Sequence, residues 1–215
     1  MTGRRQRTAR INGPDLPESR VRTFRMKNRS CNRRRFSAWL VAAPLLTRVG
    51  VAPGRVWAAG ERMLEKLHSE WKDYLPEGFD APSVENKVEL EKSAWRERLS
   101  DPAFDVLRRE GTERPFTSPL NDEKRRGVFV CAGCQLPLFT SAMKFDSGTG
   151  WPSFFTSIPD AVDTKKDFKL VWPRTEYHCA RCGGHQGHVF SDGPEPTGER
   201  WCNNGVALEF LPAKS

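Results

Sequence analysis

Two cysteine pairs with the spacing C-x-x-C limit the folds open to this 215-residue chain more than any other feature. Cys131 and Cys134 form the first knuckle, and Cys179 and Cys182 form the second. Each knuckle can direct two thiolates at one ion from a tight turn, so the two together complete a tetrahedron. Zinc suits four thiolates because it has no redox chemistry and is commonly tetrahedral. The spacing therefore predicts one structural Zn²⁺ site, with a lobe of the fold inserted between the knuckles.

Two other interpretations of these cysteines stay open at this point. In the first, either knuckle is a redox dithiol, although no βαβ pattern of the thioredoxin type surrounds it. In the second, an ion binds the second knuckle and two histidines that follow it closely, His185 and His188. That arrangement would leave the first knuckle without a ligand role.

The positive charge of the chain is concentrated at its N-terminal end. The whole sequence has a formal net charge of +8. Residues 1–59 hold 14 of the 35 lysines and arginines but only 2 of the 27 acidic residues, so they carry +12 and the rest carries −4. The remaining part therefore lacks the basic surface that nucleic-acid binding needs, and we expect no nucleic-acid partner.

Residues 1–59 have the layout of a leader. Three arginines, Arg33–Arg35, precede an apolar run, Phe36–Leu46, that is far shorter than the roughly 20 residues of a membrane-spanning helix. Val56–Ala58 then fits a small-x-small cleavage pattern. This order is typical of a twin-arginine-like signal peptide. It predicts export to the periplasm, a mature start near Ala59 and no stable membrane insertion after cleavage.

The alternatives for this leader are a mitochondrial transit peptide and a disordered basic tail of a cytoplasmic protein. Residues 1–35 are rich in arginine and lack a hydrophobic period, so they do not form a domain of their own. Met26 is a candidate for the true start, because "MKNRSCNRRRF" is an ordinary n-region without the 25 residues before it.

The rest of the chain divides into an extension, 60–87, and a main domain, 88–215. In the extension, "ERMLEKLHSEW" has apolar residues at helical spacing, and prolines and a glycine then mark a linker. Near the start of the main domain, Ser100 as N-cap, Pro102 in the first turn and Gly111 past the end predict a helix.

From Arg114 onward, short apolar runs alternate with Gly, Pro, Asn and Asp. The runs are "GVFVC", "PLFTS", "MKF", "FKLVW", "YHC", "HVFSD" and "VALEF". Such a pattern is typical of many short strands. The sequence therefore predicts a mainly β fold with a few N-terminal helices.

Cys202 stands apart from both knuckles, in "GERWCNNGVALEF". A free cysteine is most often a small buried hydrophobe. In an extended segment, however, Arg200, Cys202 and Asn204 share one face. The arginine would lower a thiol pKa that starts near ~8.5, and the asparagine offers hydrogen bonds, so we predict a reactive nucleophile. The same face becomes apolar from Val206 on, unless a bulge at 203–205 breaks the register.

Two further stretches have the composition of a site. The glycine-rich loop "FDSGTGWPSF", 145–154, carries Trp151 and Phe154, and a loop tryptophan is either a pocket wall or folded onto the core. In "GGHQGHVFSDGP", His185 and His188 stand three residues apart. A single histidine is usually structural, but a pair in a chain with an activated thiol indicates proton donors for a leaving oxygen.

Together these residues resemble the MsrB family of methionine-R-sulfoxide reductases. The matching stretches cover roughly residues 88–212 and are "LRREGTERPF", "GVFVCAGCQLPLF", "KFDSGTGWPSF" and "YHCARCGGHQGHVFSDGPEPTGERWCNNGVALEF". The resemblance implies two packed antiparallel sheets, a structural Zn²⁺ on the four knuckle cysteines and Cys202 as the catalytic cysteine. The substrate pocket that it implies consists of Trp151, His185, His188, Asp192, Arg200 and Asn204. Phe154 is expected beside Trp151.

The implied reaction is the reduction of methionine R-sulfoxide in oxidised proteins or peptides. The Cys202 thiolate attacks the sulfoxide sulfur, and His188, assisted by His185, protonates the oxygen. Cys202 then becomes a sulfenic acid, while Trp151 holds the substrate methyl group. The rival hypothesis is a non-catalytic zinc-binding β module for protein interaction. It explains the knuckles but not the lone cysteine and the histidine pair.

The resemblance also has a consequence for recycling. Many members of the family carry a recycling cysteine in the glycine-rich loop, as "SGCGWPSF", where this chain has Thr149. Removal of the leader would also remove Cys31, which leaves Cys202 without an intramolecular partner. We therefore expect an external thiol reductant of the thioredoxin type to regenerate Cys202. We also expect the protein to be a monomer.

Overall fold

The computed structural model describes residues 53–167 and 174–214. Most of the predicted leader, including Cys31, lies outside the described residues, and so does the predicted strand "FKLVW" at 168–172. No helix in the described ranges has both the length and the apolar character that crossing a membrane requires.

The strands in the described part of the chain form two antiparallel sheets, as the family resemblance implies. The smaller sheet has the order β2-β1-β9 and contains β1 (Gly127–Cys131), β2 (Pro137–Thr140) and β9 (Leu208–Pro212). The larger sheet has the order β3-β4-β8-β7-β6-β5. Its strands are β3 (Lys144–Phe145), β4 (Ser153–Phe154), β5 (Val162–Asp167), β6 (Arg174–Cys179), β7 (His185–Phe190) and β8 (Arg200–Asn203).

Aromatic side chains from both sheets form one core. The Phe139 ring of β2 stacks on the Phe154 ring of β4 with centroids 4.0 Å apart, and Phe129 of β1 meets Phe154 edge-on at 5.0 Å. Burial of one such side chain stabilises the fold by about 1.5–3 kcal/mol, so these rings fix how the sheets meet. Phe154 is fully buried among them. The expectation that it lies beside Trp151 in a substrate pocket is therefore wrong.

In the part of the chain that the structure describes, three α-helices precede the strands: α1 (Pro53–Ser69), α2 (Lys92–Arg98) and α3 (Asp101–Arg109). The predicted ends of α3 are confirmed, because Ser100 Oγ accepts a hydrogen bond from the Ala103 N–H at 3.4 Å and Glu110 closes the helix in the left-handed conformation. The helix packs against β7 and against a 3₁₀ turn that precedes β9. It therefore supports the two elements that follow the second knuckle and Cys202.

A β-bulge in β7 places two histidines on the same side of the sheet. Tyr177 pairs with Gly187 and His178 pairs with His185, so β7 carries one extra residue between the two pairs. In a regular strand, residues three apart point to opposite faces. The bulge cancels this alternation and brings the rings of His185 and His188 to a centroid distance of 5.5 Å.

The strand that carries Cys202 ends soon after it. β8 stops at Asn203, and a 3₁₀ turn, Gly205–Ala207, separates it from β9. The predicted break in register is confirmed, but it is a 3₁₀ turn instead of a bulge. The continuous face from Arg200 to Val206 and beyond is therefore interrupted, and β9 belongs to the other sheet.

Candidate active site and metal centre

Strand register aligns a row of polar residues across the larger sheet, because directly opposite residues on neighbouring strands share a face. Cys202 of β8 lies opposite Ser153 of β4 on one side and opposite His188 of β7 on the other. His188 in turn lies opposite Glu176, and Glu176 lies opposite Lys165. The pairing of β7 with β8 therefore places the Cys202 thiol beside His188, the predicted proton donor, although the two residues are 14 positions apart in the sequence.

Cys202 is half-buried and opens onto a pocket. The residues that line this pocket with it are Thr112, Trp151, Arg174, Gly187, His188, Phe190, Asn203 and Asn204. A Cβ added to Gly187 would lie 1.9 Å from the Cys202 carbonyl oxygen, so only glycine lets β7 and β8 approach this closely. The pocket therefore combines an apolar wall, a thiol and an imidazole.

Burial raises the pKa of the Cys202 thiol above its usual value. Arg200 and a hydrogen bond from Thr149 lower the pKa, but they do not outweigh the loss of hydration. The predicted arginine effect is thus present, whereas the net lowering of the pKa is not. The thiol is therefore held mainly in its neutral form at pH 7.

His188 faces a buried carboxylate that sequence reasoning did not identify. Its Nε2 lies 3.1 Å from Oδ2 of Asp167, which also accepts a hydrogen bond from Arg174 at 2.8 Å. Burial lowers the pKa of His188, while Asp167 acts in the opposite direction. The imidazole is therefore neutral at pH 7, and the carboxylate is in position to stabilise the imidazolium when a proton arrives.

His185 does not line the pocket but lies behind His188. Its Nδ1 is 2.6 Å from Oε1 of Glu176, another buried acid, and both side chains are 2 % exposed. Burial lowers the pKa of His185 to about 4, more than the attraction of Glu176 raises it. The predicted assistance to His188 is therefore indirect, through ring contact and charge.

Arg200 and Asp192 form a bidentate pair at the edge of β8. Arg200 Nε and Nη2 donate to the two Asp192 oxygens at 2.8 and 3.0 Å. The hydrogen bond lowers the pKa of Asp192, so the carboxylate stays charged and fixes the guanidinium. Neither residue is among those that line the pocket, and Arg200 acts on Cys202 from beside it.

Glu113, in the stretch before the first sheet, ties several parts of the site together. Its carboxylate accepts hydrogen bonds from the backbone N–H groups of Gly205 and Val206 at 2.6 and 3.0 Å. Its own N–H donates to Asn204 Oδ1 at 3.0 Å, and its carbonyl oxygen accepts from Trp151 Nε1 at 3.2 Å. One residue thus holds the pocket wall and the segment just after Cys202.

Asn204 has a structural role in this arrangement. It is 4 % exposed, and its Nδ2 donates to the Gln186 carbonyl oxygen at 2.9 Å. Because its side-chain oxygen accepts the Glu113 N–H, both ends of the amide have protein partners. Asn204 therefore lines the pocket but is already held by protein hydrogen bonds.

The four knuckle cysteines converge at one point away from this pocket. Their sulfur atoms all lie within 4.8 Å of one another, and the closest approaches join the two knuckles: Cys131 to Cys182 at 3.7 Å and Cys134 to Cys179 at 3.5 Å. Zn–S bonds of about 2.3 Å place the corners of a tetrahedron about 3.8 Å apart, so the cluster fits one tetrahedral ion. The alternative ligand set with the two histidines is not formed.

Neighbouring groups act on the four thiols in opposite directions: contacts among the thiols lower the pKa of Cys134 and Cys182 and raise the pKa of Cys131 and Cys179. Contacts with the other three thiols, led by Cys131, and the nearby Arg108 guanidinium lower the pKa of Cys182. Arg108 Nη1 also donates to the Cys182 carbonyl oxygen at 2.8 Å while its guanidinium stacks 3.6 Å above the Trp95 ring. Gln186 Nε2 donates to Cys131 Sγ at 3.3 Å. These contacts orient the thiols in the way that a structural metal requires.

The chain was compared with protein-family models and with known proteins. The family model described as the SelR domain matches residues 99–212, more than half of the chain. A relative named peptide methionine sulfoxide reductase MsrB, from Leifsonia xyli, is 48% identical over 136 residues, which are 62% of this chain and 98% of the relative. Relatives of the same name from Agrobacterium fabrum and Pseudomonas putida are 49% and 50% identical over 127 residues. Those alignments cover 59% of this chain and 94% and 96% of the relatives.

Proposed function

The chain belongs to the SelR-domain family of MsrB peptide methionine sulfoxide reductases, and we propose that it reduces the R epimer of methionine sulfoxide in peptides through Cys202. One observation carries the proposal. The thiol of Cys202 lies opposite His188 in the strand register, at a pocket walled by Trp151. A sulfoxide needs a nucleophile for its sulfur and a proton for its oxygen, and these two residues supply them.

The proposed step balances without a further reactant. The Cys202 proton passes to His188, and the thiolate attacks the sulfoxide sulfur. The imidazolium, stabilised by Asp167, then gives the proton to the oxygen. The S–O bond of the substrate breaks as the hydroxyl group moves to the Cys202 sulfur, and the transient bond between the two sulfur atoms breaks with its electron pair on the substrate sulfur. The substrate sulfur is reduced by two electrons and Cys202 is oxidised to a sulfenic acid, which carries both the oxygen and the proton.

Trp151 is the proposed source of substrate orientation. Its indole N–H is bound to the Glu113 carbonyl oxygen, so the ring is held in one position. An apolar wall in that position packs the methyl group of the substrate and leaves only one direction for the sulfoxide oxygen. The epimer whose oxygen points at His188 is the one reduced.

Turnover on the two blocked epimers of methionine sulfoxide, with dithiothreitol as reductant, tests this function. We expect consumption of the R epimer alone. Equal consumption of both epimers would contradict the orientation by Trp151, and consumption of neither would contradict the reductase function. The variant Trp151→Ala should lose discrimination while Cys202 stays reactive toward a small alkylating agent.

We propose a structural Zn²⁺ on the four knuckle cysteines. The ion would join the β1–β2 turn to the β6–β7 turn and would supply a cross-link without redox chemistry. The family resemblance and the sulfur spacing of 3.5 and 3.7 Å support this assignment.

Regeneration of Cys202 is proposed to need an external thiol of the thioredoxin type. Every other cysteine in the described ranges belongs to the knuckle cluster. Two external thiols reduce the sulfenic acid to the thiol, with formation of a disulfide between them and release of water. Thr149, which hydrogen-bonds Cys202, occupies the position where an internal thiol would act.

Mass spectrometry after a single turnover tests this route. The wild-type chain should release one methionine per enzyme and keep a sulfenic acid on Cys202. Thr149→Cys should instead form a disulfide with Cys202, and the matched control Thr149→Ser should behave as the wild type. A native intramolecular disulfide at Cys202 would contradict the proposal.

We further propose that residues 1–59 direct export of the protein to the periplasm and are then cleaved off. The mature protein is proposed to be a monomer. The support is the arginine triplet, the short apolar run and the cleavage pattern in the sequence. α1 contains the cleavage pattern Val56–Ala58, so cleavage there requires that its first turn unwind. N-terminal sequencing should give a mature start near Ala59, whereas full-length protein confined to the cytosol would contradict export.

A further inference from the structure

We propose that Glu176, His178 and His185 form a second metal site, which binds a divalent transition-metal ion such as Zn²⁺ and thereby inhibits the enzyme. The three residues lie on β6 and β7. His178 directly precedes the knuckle residue Cys179, but none of the three belongs to the four-cysteine cluster. Their ligand atoms all lie within 4.8 Å of one another. Imidazole nitrogens and a carboxylate oxygen are the donors that zinc takes where it keeps one coordination position open.

The geometry converges on one carboxylate oxygen. Glu176 Oε1 lies 2.6 Å from His185 Nδ1 and 2.9 Å from His178 Nε2. Bonds of about 2.0–2.2 Å place the ligands of a tetrahedral ion about 3.3–3.5 Å apart. The three side chains would therefore separate by less than about 1 Å to admit the ion.

A buried nitrogen without a hydrogen bond provides a second, independent observation. Among the described residues, Nε2 of His185 has no hydrogen-bond partner, whereas Nδ1 of His185 has Oε1 of Glu176 at 2.6 Å as its charge partner. Both side chains are 2 % exposed, so bulk water does not satisfy them. Buried polar atoms normally have partners, and a cation between these two would bind both at once.

The surroundings give the site an entrance and a competing charge. The side chain of His178 is 14 % exposed and forms the outer edge of the cluster. Lys165 Nζ lies 3.5 Å from Glu176 Oε2, and its side chain is half exposed. The ammonium therefore neutralises part of the carboxylate charge that would attract an ion.

An ion in this site would act on the reaction through His188. The His185 and His188 rings are 5.5 Å apart, so a divalent charge on His185 disfavours the imidazolium that His188 must form. The proposal thus has two halves: the inhibitory half, that the bound ion inhibits the enzyme, rests on the proposed function, whereas the binding half, that the site binds an ion, does not. Zinc thus becomes both a structural component and an inhibitor of the same chain.

Calorimetric titration with ZnCl₂ tests the binding half. The protein at the start of the titration already holds one Zn²⁺ per chain. It carries the substitution Cys202→Ser, which prevents zinc from binding to Cys202 and His188 instead. We expect a second equivalent to bind. His178→Gln should weaken it at least about 10-fold through the loss of one ligand. Lys165→Met should tighten it several-fold, and the control His68→Gln, at a histidine bound to Thr156, should leave it unchanged.

Three results would overturn the site. The first is the absence of a second equivalent in the Cys202→Ser protein, and the second is equal binding by His178→Gln with its first zinc still present. The third is a second equivalent of Co²⁺ that adds thiolate charge-transfer bands, since this site has no sulfur ligand. If His178→Gln fails to fold, the Lys165→Met variant still tests the site, because an unchanged affinity of Lys165→Met for the second Zn²⁺ would also contradict the proposal.

Turnover of the R epimer in the presence of ZnCl₂ tests the inhibitory half in chains with Cys202 intact. Each variant is compared with its own rate without added zinc. Inhibition should follow occupancy of the second site and should be relieved in His178→Gln. Binding without inhibition would overturn the inhibitory half, and a chain without reductase activity would contradict the proposed function while the calorimetry still decides the site.

Discussion

The knuckle cluster and Cys202 use the same side chain in two opposite ways. In the cluster, four buried sulfur atoms satisfy one another at 3.5–3.7 Å across two turns. Among the described cysteines, Cys202 is the one outside this cluster; it faces a pocket, with Thr149 and Arg200 beside it and His188 opposite. The thiols of the two regions differ in both burial and neighbours: other sulfur atoms surround each cluster cysteine, whereas Cys202 opens onto a pocket. Substitutions on the two sides of the comparison should therefore have separable effects.

The largest effect is expected in the cluster. Cys134→Ser should abolish metal binding and unfold the domain, because structural zinc supplies on the order of 10 kcal/mol of folding free energy. The measurements are metal content and thermal unfolding by circular dichroism. Cys202→Ser is the matched control, since it makes the same chemical change outside the cluster and should melt as the wild type. Equal melting temperatures of Cys134→Ser and Cys202→Ser would contradict the structural role of the cluster.

Cys202→Ser should have the largest effect on chemistry. We expect kcat/KM for the R epimer to fall by on the order of 10⁴ or more, because the nucleophile is lost. Zinc content and melting temperature should stay at wild-type values. Activity that persists in this variant would place the nucleophile elsewhere and remove the distinction on which the comparison depends.

His188→Ala should lower kcat/KM by about 10²–10⁴, the usual contribution of a general acid or base. Asp167→Asn should lower it less, since the imidazole stays while the group that stabilises its charged form is neutralised. Steady-state rates on the R epimer measure both effects. His68→Gln serves as the control for loss of a histidine outside the site. A larger loss in Asp167→Asn than in His188→Ala would assign the proton transfer differently.

The smallest effect concerns the electrostatics of Cys202. Its pKa is raised by burial, so the thiolate fraction and the rate of alkylation by iodoacetamide should increase as pH rises above neutrality. Arg200→Met removes a group that lowers this pKa, and the alkylation profile should move to higher pH. Arg125→Met removes a guanidinium that pairs with Glu123 outside the pocket, and the profile should stay in place. An unchanged profile in Arg200→Met would show that Arg200 does not act on the thiol.

The parts of the structure that depend on local spacing were predictable from the sequence. The C-x-x-C turns, the capped helix after Ser100 and the alternation of short strands with turns are all set within about ten residues. The sequence also pointed to Cys202, His188 and Trp151 as one site. The sequence was a poorer guide to the contacts that depend on pairing between strands distant in the chain.

Asp167 and Glu176 illustrate the limit. They meet His188 and His185 only because β5, β6 and β7 pair in one register with a bulge, and no short motif marks either acid. The pKa of Cys202 could not be predicted for a related reason, since the nearby arginine is visible in the sequence whereas the degree of burial is not. Phe154 looked like a pocket residue because it follows Trp151 closely, but the register of β4 turns it into the core.

Glu113 has a consequence for anyone who redesigns this protein. The same residue clamps the backbone just after Cys202 through its carboxylate and holds the Trp151 indole through its carbonyl oxygen. The aromatic wall and the thiol are therefore not independent modules. A transplant of the reactive loop into another scaffold has to bring this stretch with it, and a library that varies substrate preference at Trp151 should keep Glu113 fixed.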